Sequence, residues 1–505
     1  MAIKKSELYS SLWAGCDELR GSMDASQYKD YVLVLLFMKY VSDKGGALVD
    51  IPEGASFKDM VKLKKQADIG DKINKIIGEL AKANELTGVI TVADFNDDEK
   101  LGKGKEKVDR LSNLIAIFEK PELDFSSNHA EGDDILGDAY EYLMRNFAID
   151  SGKSKGQFIT PAEVSRIMAK VIDINKSKSQ SESLYDMTCG TGSLLLKAAD
   201  EAPHGITIYG QENDNATRAL AVMNMWLHGN PASLIVQGNT LASPQFTDET
   251  TGELKQFDYA VANPPFSYKS WTTGWDPAND NYKRFDGYDT LPPKKNGDFA
   301  FLLHMIKSLK SKGKACIVLP LGVLFRGNAE ADIRKKIIKK GYIKGIIGLP
   351  PNLFYGTGIA ASLIVLDKED AGNRKDIFMI DAGKGFIKDG NKNRLREQDI
   401  HNIPNRDIDD LGNYWKVYPT LKSTLFKPSK RANYSALCIA KNEIKNKIFH
   451  HPEFTTFGKQ MDAVFEQWKS ETIANAKTFD KGLHPKQEIH KISENLLKHY
   501  AGRYV

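Results

Sequence analysis

Short apolar runs alternate with longer amphipathic stretches through the middle of this chain. The apolar runs predict strands at 183–187, 205–210, 233–236, 257–262, 314–319, 342–348, 362–366 and 376–380. The amphipathic stretches predict helices at 193–201, 215–228, 299–309 and 328–340. Because the strands are apolar along their whole length and alternate with helices, the pattern predicts an α/β fold with a largely parallel, doubly wound sheet.

The regions on either side carry a helical pattern. Residues 31–41 are apolar nearly all round, which predicts a buried core helix, and 135–144 predict a second helix. The glycine- and lysine-rich stretch 102–107 predicts an exposed loop. The last part of the chain is polar, basic and helix-like, as in a tail that orders against a partner. We therefore predict an all-α N-terminal domain at 1–150, the α/β domain at 151–420 and a helical tail at 421–505.

Composition narrows the classes of protein. Hydrophobic residues make up 41% of the chain and charged residues 27%, as in an ordinary soluble globular protein. No apolar run can span a bilayer, the N-terminus lacks a secretory signal, and the four scattered cysteines form no metal-binding pattern. We therefore expect a cytoplasmic protein with no metal site and no membrane association. The net charge of +4 does not identify a nucleic-acid binder, and the basic residues crowded into 307–344 also fit solvated helix faces.

The tetrapeptide Asn263-Pro264-Pro265-Phe266 follows the predicted strand 257–262. The Asn263 side-chain oxygen and the Pro264 carbonyl can accept the two hydrogens of a planar amino group, such as the exocyclic amine of adenine. Those bonds draw electron density onto a weakly nucleophilic nitrogen, and Phe266 can stack on the base. The alternative is a simple turn that ends the strand, because Asn and Pro favour turns.

A glycine loop and an acidic residue predict a nucleoside site. Residues 186–193, Asp-Met-Thr-Cys-Gly-Thr-Gly-Ser, follow the first predicted strand and open a helix, so the backbone can approach a ligand closely. Glu212 ends the next predicted strand, where an acid can bond a ribose diol. Since no phosphate-cradling motif accompanies the loop, the ligand should lack a phosphate chain, and S-adenosylmethionine fits. The alternative is a structural strand–turn–helix unit with a capping acid.

A third segment, 157–162, precedes a predicted helix. Here Thr160 can cap the helix with Pro161 at its first position. Taken alone, the segment is a helix start.

Together these segments resemble the amino-group DNA methyltransferases, and most closely the adenine-methylating modification subunit of type I restriction–modification systems. The resemblance covers essentially the whole chain and is strongest over 150–370. It implies a Rossmann-like methyltransferase sheet that carries S-adenosylmethionine. It implies catalytic roles for Asn263, Pro264, Pro265 and Phe266. It implies cofactor contacts from Gln157, Phe158, Ile159, Thr160, Pro161, Ala162, Asp186, Thr188, Gly190, Thr191, Gly192, Ser193, Glu212 and Asn239.

Asn239 marks a departure from the family pattern. The segment Gly238-Asn239-Thr240-Leu241 stands where such enzymes often carry an acidic residue that bonds the cofactor's adenine amine. We expect the Asn239 amide oxygen to accept that bond without charge.

A long segment, 267–296, interleaves aromatic and basic residues. This composition suits stacking on an extruded base and contacts to phosphate. The alternative is a flexible substrate loop with satellite packing.

The resemblance also implies partners. Only a short basic tail follows the catalytic domain, so we expect a separate specificity subunit to read the double-stranded DNA target, docked by the N-terminal domain and the tail. A restriction and translocase subunit and two copies of this chain per complex complete the expected assembly. Two other functions stay open, a protein-glutamine methyltransferase and a non-catalytic nucleic-acid scaffold.

Overall fold

Eight strands form one twisted sheet, and each lies within one of the eight predicted apolar runs or overlaps it. In the computed structural model the described residues are 5–45, 49–126, 140, 142–144, 160–354, 357–390 and 392–400, all within the unit Met1–Pro419. The strands are β1 Ser183–Asp186, β2 Thr207–Glu212, β3 Leu234–Gln237, β4 Phe257–Ala262, β5 Leu309–Pro320, β6 Ile343–Gly348, β7 Ala361–Asp367 and β8 Phe378–Asp381. A separate hairpin consists of β9 Ile387–Asp389 and β10 Lys392–Arg394.

The strand order in the sheet is β3-β2-β1-β4-β5-β7-β6-β8. All neighbouring pairs are parallel except those made by β7, which runs antiparallel to both β5 and β6. The predicted α/β, doubly wound sheet is therefore confirmed. Strand β5 begins at Leu309, five residues before its predicted start, because Leu309 already pairs with Phe257 although the intervening lysines are exposed.

The two faces of the sheet bury different sides of each strand. Leu184 and Val261 belong to the core on one face, whereas their neighbours Tyr185 and Ala260 belong to the core on the other. This alternation is the two-residue period of an extended chain. The helices that cover the sheet are α7 Ala162–Val171, α8 Ser193–Ala199, α9 Asn215–Leu227, α10 Asp298–Lys307 and α11 Ala329–Lys339. Helices α7 and α8 cover the first face, and α10 and α11 cover the second.

The N-terminal region is helical, as predicted. Its helices are α1 Lys5–Arg20, α2 Ala25–Lys44, α3 Phe57–Val61, α4 Ile69–Ala83, α5 Asp98–Leu101 and α6 Lys105–Phe118. Residues 31–38 of α2 are all buried, which confirms the predicted core helix. The prediction of an exposed loop at 102–107 is wrong for the end of that stretch. Lys107 lies in α6 and is buried, and its ammonium group is 2.8 Å from the Asp98 carboxylate.

Helix α9 joins the N-terminal core to the sheet. Leu220 and Met223 pack into the N-terminal core, whereas Ala221 and Met225 pack against α8 and the sheet. The Tyr140 hydroxyl donates a hydrogen bond of 2.7 Å to the Leu220 carbonyl. One amphipathic helix thus shares its surface between two cores.

Several predictions fall on residues outside those described. They are the linker at 151–156, most of the helix at 135–144, the tail at 421–505, and the candidate cofactor residues Gln157, Phe158 and Ile159. The proposed domain boundaries therefore stay predictions. In the described part of the chain, no helix combines the length and apolar character needed to cross a membrane.

Candidate active site at the carboxyl edge of the sheet

The candidate residues meet where the chain reverses its direction of winding. Strand β1 lies between β2 and β4, and the chain leaves β1 into α8 on one face but leaves β4 toward α10 on the other. Such a switch point opens a crevice at the carboxyl ends of the strands, where ligands bind in open α/β sheets. Asp186, Glu212 and Asn263 stand at the ends of β1, β2 and β4, so the topology brings all three to this crevice.

Backbone contacts hold the 186–193 loop in shape. The Asp186 carboxylate accepts a hydrogen bond of 2.9 Å from the Thr188 amide, and the Thr191 carbonyl accepts one of 2.9 Å from the Asn224 side chain on α9. Gly192 has φ +78°, a left-handed backbone conformation that residues with a side chain rarely adopt, so this position favours glycine. Ser193 then begins α8.

Glu212 closes the loop from the neighbouring strand. Its Oε2 accepts a hydrogen bond of 3.0 Å from the Gly190 amide, and its Oε1 accepts one of 2.9 Å from the Asp214 amide. The side chain is buried, and this burial raises the pKa of the Glu212 carboxyl above its ordinary value. Burial, together with the charge of Glu212, also raises the pKa of Asp186 to about 8. Two buried carboxyls thus face the crevice, and within the described residues neither forms an ion pair.

Thr160 contacts Asn263 and does not cap its helix. Helix α7 begins at Ala162 with Pro161 in the capping position, so the predicted Thr160 cap is wrong. The reason is local, because Pro161 takes an extended ψ of 136° and moves the helix start one residue along the chain. The buried Thr160 hydroxyl instead accepts a hydrogen bond of 3.2 Å from Asn263 Nδ2.

The acceptor groups of the tetrapeptide are unengaged. Among the described residues, neither Asn263 Oδ1 nor the Pro264 carbonyl accepts a hydrogen bond. Pro264 is buried, whereas Pro265 and Phe266 are half-buried. The Phe266 ring meets Phe354 edge to face, with ring centroids 5.7 Å apart. The tetrapeptide therefore presents, beside an aromatic pair, two acceptors that no described residue engages.

Two further residues of this site, Phe354 and Asp298, were not predicted from the sequence. Phe354 follows the end of β6, as Phe266 follows the end of β4, and both strands point to the same edge of the sheet. Asp298 begins α10 and accepts a hydrogen bond of 2.7 Å from the Ser267 amide, while its other oxygen pairs with Arg326. Ser267 has φ +52°, so Asp298 holds a strained corner directly after the tetrapeptide. The proline pair before Phe354, matching the one before Phe266, is the signal that could have found it.

Asn239 is placed near the crevice but its oxygen is engaged. Asn239 Oδ1 accepts hydrogen bonds from the amides of Leu241, at 3.0 Å, and Ala242, at 3.2 Å. Because a carbonyl oxygen has two lone pairs, these two bonds compete with the expected bond from an adenine amine, which stays a prediction. The amide nitrogen of Asn239 is the polar group left for a ligand.

The 267–296 segment packs against the domain through most of its aromatic residues. Trp271 and Phe285 are buried, and Trp275 stacks on Phe285 with ring centroids 6.0 Å apart. Arg284 is buried as well, paired with Asp280 at 2.8 Å and donating to the Leu241 carbonyl at 2.8 Å. The packing alternative thus describes these four residues.

Four lysines of the same segment stay at the surface. They are Lys269, Lys283, Lys294 and Lys295. Within the described residues they form no ion pair, so the phosphate-binding interpretation applies to them alone.

Comparisons with known proteins identify the relatives of this chain. One family model, described as N-6 DNA Methylase, matches residues 131–417, and another, described as HsdM N-terminal domain, matches residues 8–118. The type I restriction enzyme MpnII methylase subunit of Mycoplasma pneumoniae is 31% identical over 452 residues, which is 78% of this chain and 82% of that protein. The MjaVII methylase subunit of Methanocaldococcus jannaschii is also 31% identical, over 79% of this chain and 72% of that protein.

A solved structure shows the same relationship. The type I restriction-modification system methyltransferase subunit from Streptococcus thermophilus has a TM-score of 0.69 to this chain at 31% identity, covering 79% of this chain and 92% of that one. The first family model spans more than half of the chain. The chain therefore belongs to the N-6 DNA methylase family and, within it, to the methylase subunits of type I restriction enzymes.

Proposed function

We propose that this chain transfers a methyl group from S-adenosylmethionine to the exocyclic amino group of adenine in DNA, as the modification subunit of a type I restriction–modification complex. The observation that carries the proposal is the pair of unengaged acceptors, Asn263 Oδ1 and the Pro264 carbonyl, at the switch point of the sheet. They follow β4, which pairs with β1, and the 186–193 loop follows β1, so a methyl donor held by that loop would lie near an amine held by these acceptors.

The charge of the loop supports S-adenosylmethionine as the donor. Asp186 and Glu212 are buried carboxyls without a cationic partner among the described residues, and each has a raised pKa. In their ionised form, two such groups repel a phosphate chain, and a ligand that carries a sulfonium and an ammonium group favours that ionised form. In this proposal Glu212 bonds the ribose hydroxyls, Asp186 bonds the cationic end, and Thr160 to Ala162 border the methionine part. Gly190 and Gly192 allow close approach of the backbone, with Thr188, Thr191 and Ser193 completing the loop.

The tetrapeptide would act by positioning the amine. S-adenosylmethionine, when bound, supplies an electrophilic methyl group. Asn263 Oδ1 and the Pro264 carbonyl accept the two amine hydrogens, which increases electron density on the nitrogen and fixes the direction of its lone pair. Phe266 and Phe354 hold the base plane, and Asp298 holds the corner that sets Phe266 in place. Catalysis then rests on orientation and hydrogen bonding.

The partners follow from the relatives. Since those relatives are named as subunits of restriction enzymes, we propose that a specificity subunit, double-stranded DNA and a restriction subunit join this chain, with two copies of it per complex. The exposed lysines of 267–296 are the proposed phosphate contacts on this chain.

One assay separates this function from the two alternatives. Labelled methyl transfer from S-adenosylmethionine is measured to DNA, RNA and protein, with and without the candidate specificity subunit. We expect label on adenine N6 in DNA at one sequence, and only weak transfer without the partner. Transfer to protein amides would indicate a glutamine methyltransferase, and no transfer to any acceptor would indicate a scaffold.

The variant Asn263→Ala tests the carrying observation. It should lower the methyl-transfer rate by about a hundredfold or more, because one of two groups that orient the amine is lost. Cofactor affinity, measured by calorimetry, should stay within a few-fold. The control is Asn113→Ala, an exposed asparagine of α6 that should leave transfer unchanged. A near-normal turnover rate of Asn263→Ala would contradict the proposal that Asn263 holds the amine.

A further inference from the structure

The contact between Thr160 and Asn263 joins two parts of the site that the proposed function keeps separate. Thr160 borders the cofactor region, and Asn263 grips the acceptor amine. Thr160 is buried, and within the described residues its hydroxyl has one hydrogen-bond partner, Asn263 Nδ2 at 3.2 Å. Because Asn263 Nδ2 donates in this bond, the hydroxyl proton of Thr160 is directed elsewhere and has no acceptor among the described residues.

A hydroxyl partner alone leaves the amide orientation undecided. A threonine hydroxyl both donates and accepts, and an asparagine amide does the same through its two ends. In one arrangement Asn263 Nδ2 donates to Thr160 and Oδ1 stays free for the amine. In the reversed arrangement the Thr160 hydroxyl donates to Asn263 Oδ1, and the amide presents Nδ2, a donor, to an amine that also donates. Only the first arrangement is productive.

We propose that Thr160 is a positioning residue that locks the Asn263 amide in the productive orientation once the cofactor is bound. The inference rests on the proposed function, in which the methionine end of the cofactor borders Thr160. A carboxylate there accepts the Thr160 hydroxyl proton, so that the hydroxyl oxygen can only accept from Asn263 Nδ2. The carboxylate end of the methyl donor thereby prepares the acceptor site.

This lock couples the two substrates. If the cofactor carboxylate favours the amide orientation that accepts the amine, the bound amine favours the cofactor by the same factor. A duplex with adenine at the target position should therefore gain affinity when a carboxylate-bearing cofactor analogue is present, relative to a duplex with purine, which lacks the amino group. The coupling depends on the Thr160 hydroxyl and not on the volume of its side chain.

The variants Thr160→Val and Thr160→Ser test the hydroxyl in the full chain assembled with its specificity subunit. The valine keeps the shape of threonine without the hydroxyl, and serine keeps the hydroxyl. At saturating S-adenosylmethionine, Thr160→Val should lose about tenfold or more in single-turnover transfer. Thr160→Ser should stay within a few-fold of the wild type. A valine variant with the wild-type rate at saturation, weakened only in cofactor affinity, would show that Thr160 contacts the cofactor alone. Equal losses in both variants would show that shape matters and the hydroxyl does not.

A ligand comparison on the unaltered protein tests the lock without any variant. The preference for adenine over purine at the target position is measured with no ligand, with S-adenosylhomocysteine, and with 5′-methylthioadenosine, which lacks the amino acid end. We expect the preference to rise several-fold with S-adenosylhomocysteine only. An equal preference under all three conditions overturns the lock while leaving adenine methylation intact. Absence of any adenine methylation by the wild-type complex would instead overturn the proposed function.

Discussion

Two sets of buried charges near this sheet differ in one respect. Asp280 and Arg284 form an ion pair of 2.8 Å with almost no exposure, and Arg284 also bonds two backbone carbonyls. Asp186 and Glu212 are also buried, but the hydrogen bonds that they accept from the described residues come from backbone amides. The first set pairs an anion with a cation, whereas the second has no cationic partner in the part of the chain that the structure describes.

Whether a buried charge has a partner of opposite charge indicates whether it serves the fold or a ligand. A compensated pair can hold a loop, and Arg284 fixes the 267–296 segment against the backbone at Thr240 and Leu241. Burial without a cationic partner raises the pKa of a carboxyl, because the charged form loses its hydration. A bound cationic ligand offsets that loss by attracting the carboxylate. Buried groups with strongly shifted pKa values in a crevice are therefore candidates for a binding site.

The largest expected effect comes from breaking the compensated pair. Arg284→Met leaves Asp280 buried without its cation, so it should lower the free energy of unfolding by about 3–5 kcal/mol, measured by urea denaturation. The matched control is Lys336→Met, which removes a solvent-exposed pair with Asp289 at 3.0 Å and should change stability by about 0–1 kcal/mol. Similar losses in the two variants would mean that the Asp280–Arg284 pair does not hold the segment.

Removing an uncompensated carboxyl should have the opposite effect on stability. Asp186→Asn keeps an oxygen for the Thr188 amide but no longer carries a charge to desolvate. The unfolded state loses the Asp186 proton near the ordinary value of 3.8, and the folded state holds it to about 8. The contribution of Asp186 to the free energy of unfolding of the wild type therefore falls as the pH rises from 3.8 to about 8. The variant should become more stable relative to the wild type between pH 5 and pH 8, as urea denaturation at each pH would show.

The same variant should bind the cofactor less well. Loss of a charged acceptor is expected to weaken S-adenosylmethionine binding by about 1.5–3 kcal/mol in calorimetry. If the variant instead lost stability at pH 8 and kept full cofactor affinity, Asp186 would have a structural role, like the Asp280–Arg284 pair, and no role in cofactor binding.

Cofactor affinity should depend on pH for the same reason. Binding of a cationic ligand favours the Asp186 carboxylate, so affinity should strengthen as the pH rises toward about 8 and level off above it. The slope below that point should be at most about tenfold per pH unit. Calorimetry between pH 6 and pH 9 measures the slope, and Asp186→Asn should flatten it. If Asp186→Asn left the pH dependence of cofactor affinity unchanged, a group other than Asp186 would be responsible for that dependence.

The smallest expected effect concerns charges that are neither buried nor paired. Lys294→Gln should reduce the salt dependence of DNA binding by about 0.9 in the slope of log affinity against log salt, for one lost phosphate contact. Lys312→Gln is the control, because Lys312 is exposed on β5 near the opposite, amino edge of the sheet. Anisotropy titrations at several salt concentrations compare the two. Equal slopes for the two variants would remove Lys294 from the proposed DNA-binding surface.

Much of the fold could be predicted because the strands are short, apolar and separated by amphipathic helices. The same local pattern placed Asp186, Glu212 and Asn263 at strand ends, and strand ends are where open α/β sheets bind ligands. The start of β5 and the cap at Thr160 could not be predicted in this way. At β5 the pairing of Leu309 with the distant Phe257 outweighs the local preference, whereas at Thr160 the extended ψ of Pro161 moves the helix start one residue along the chain.

The sequence by itself determined the groups available to the candidate site, because Asn263 to Phe266 and the glycine loop carry the acceptors and small residues that the proposed chemistry needs. Tertiary structure alone decided which charges are paired and which are free. Arg284 and the surface lysines share one basic, aromatic segment, yet Arg284 is buried against Asp280 while Lys269, Lys283, Lys294 and Lys295 face solvent. Likewise, only folding brings Thr160 to Asn263 across 103 positions of chain. Local patterns fix backbone and polarity, whereas burial and pairing depend on residues far apart in sequence.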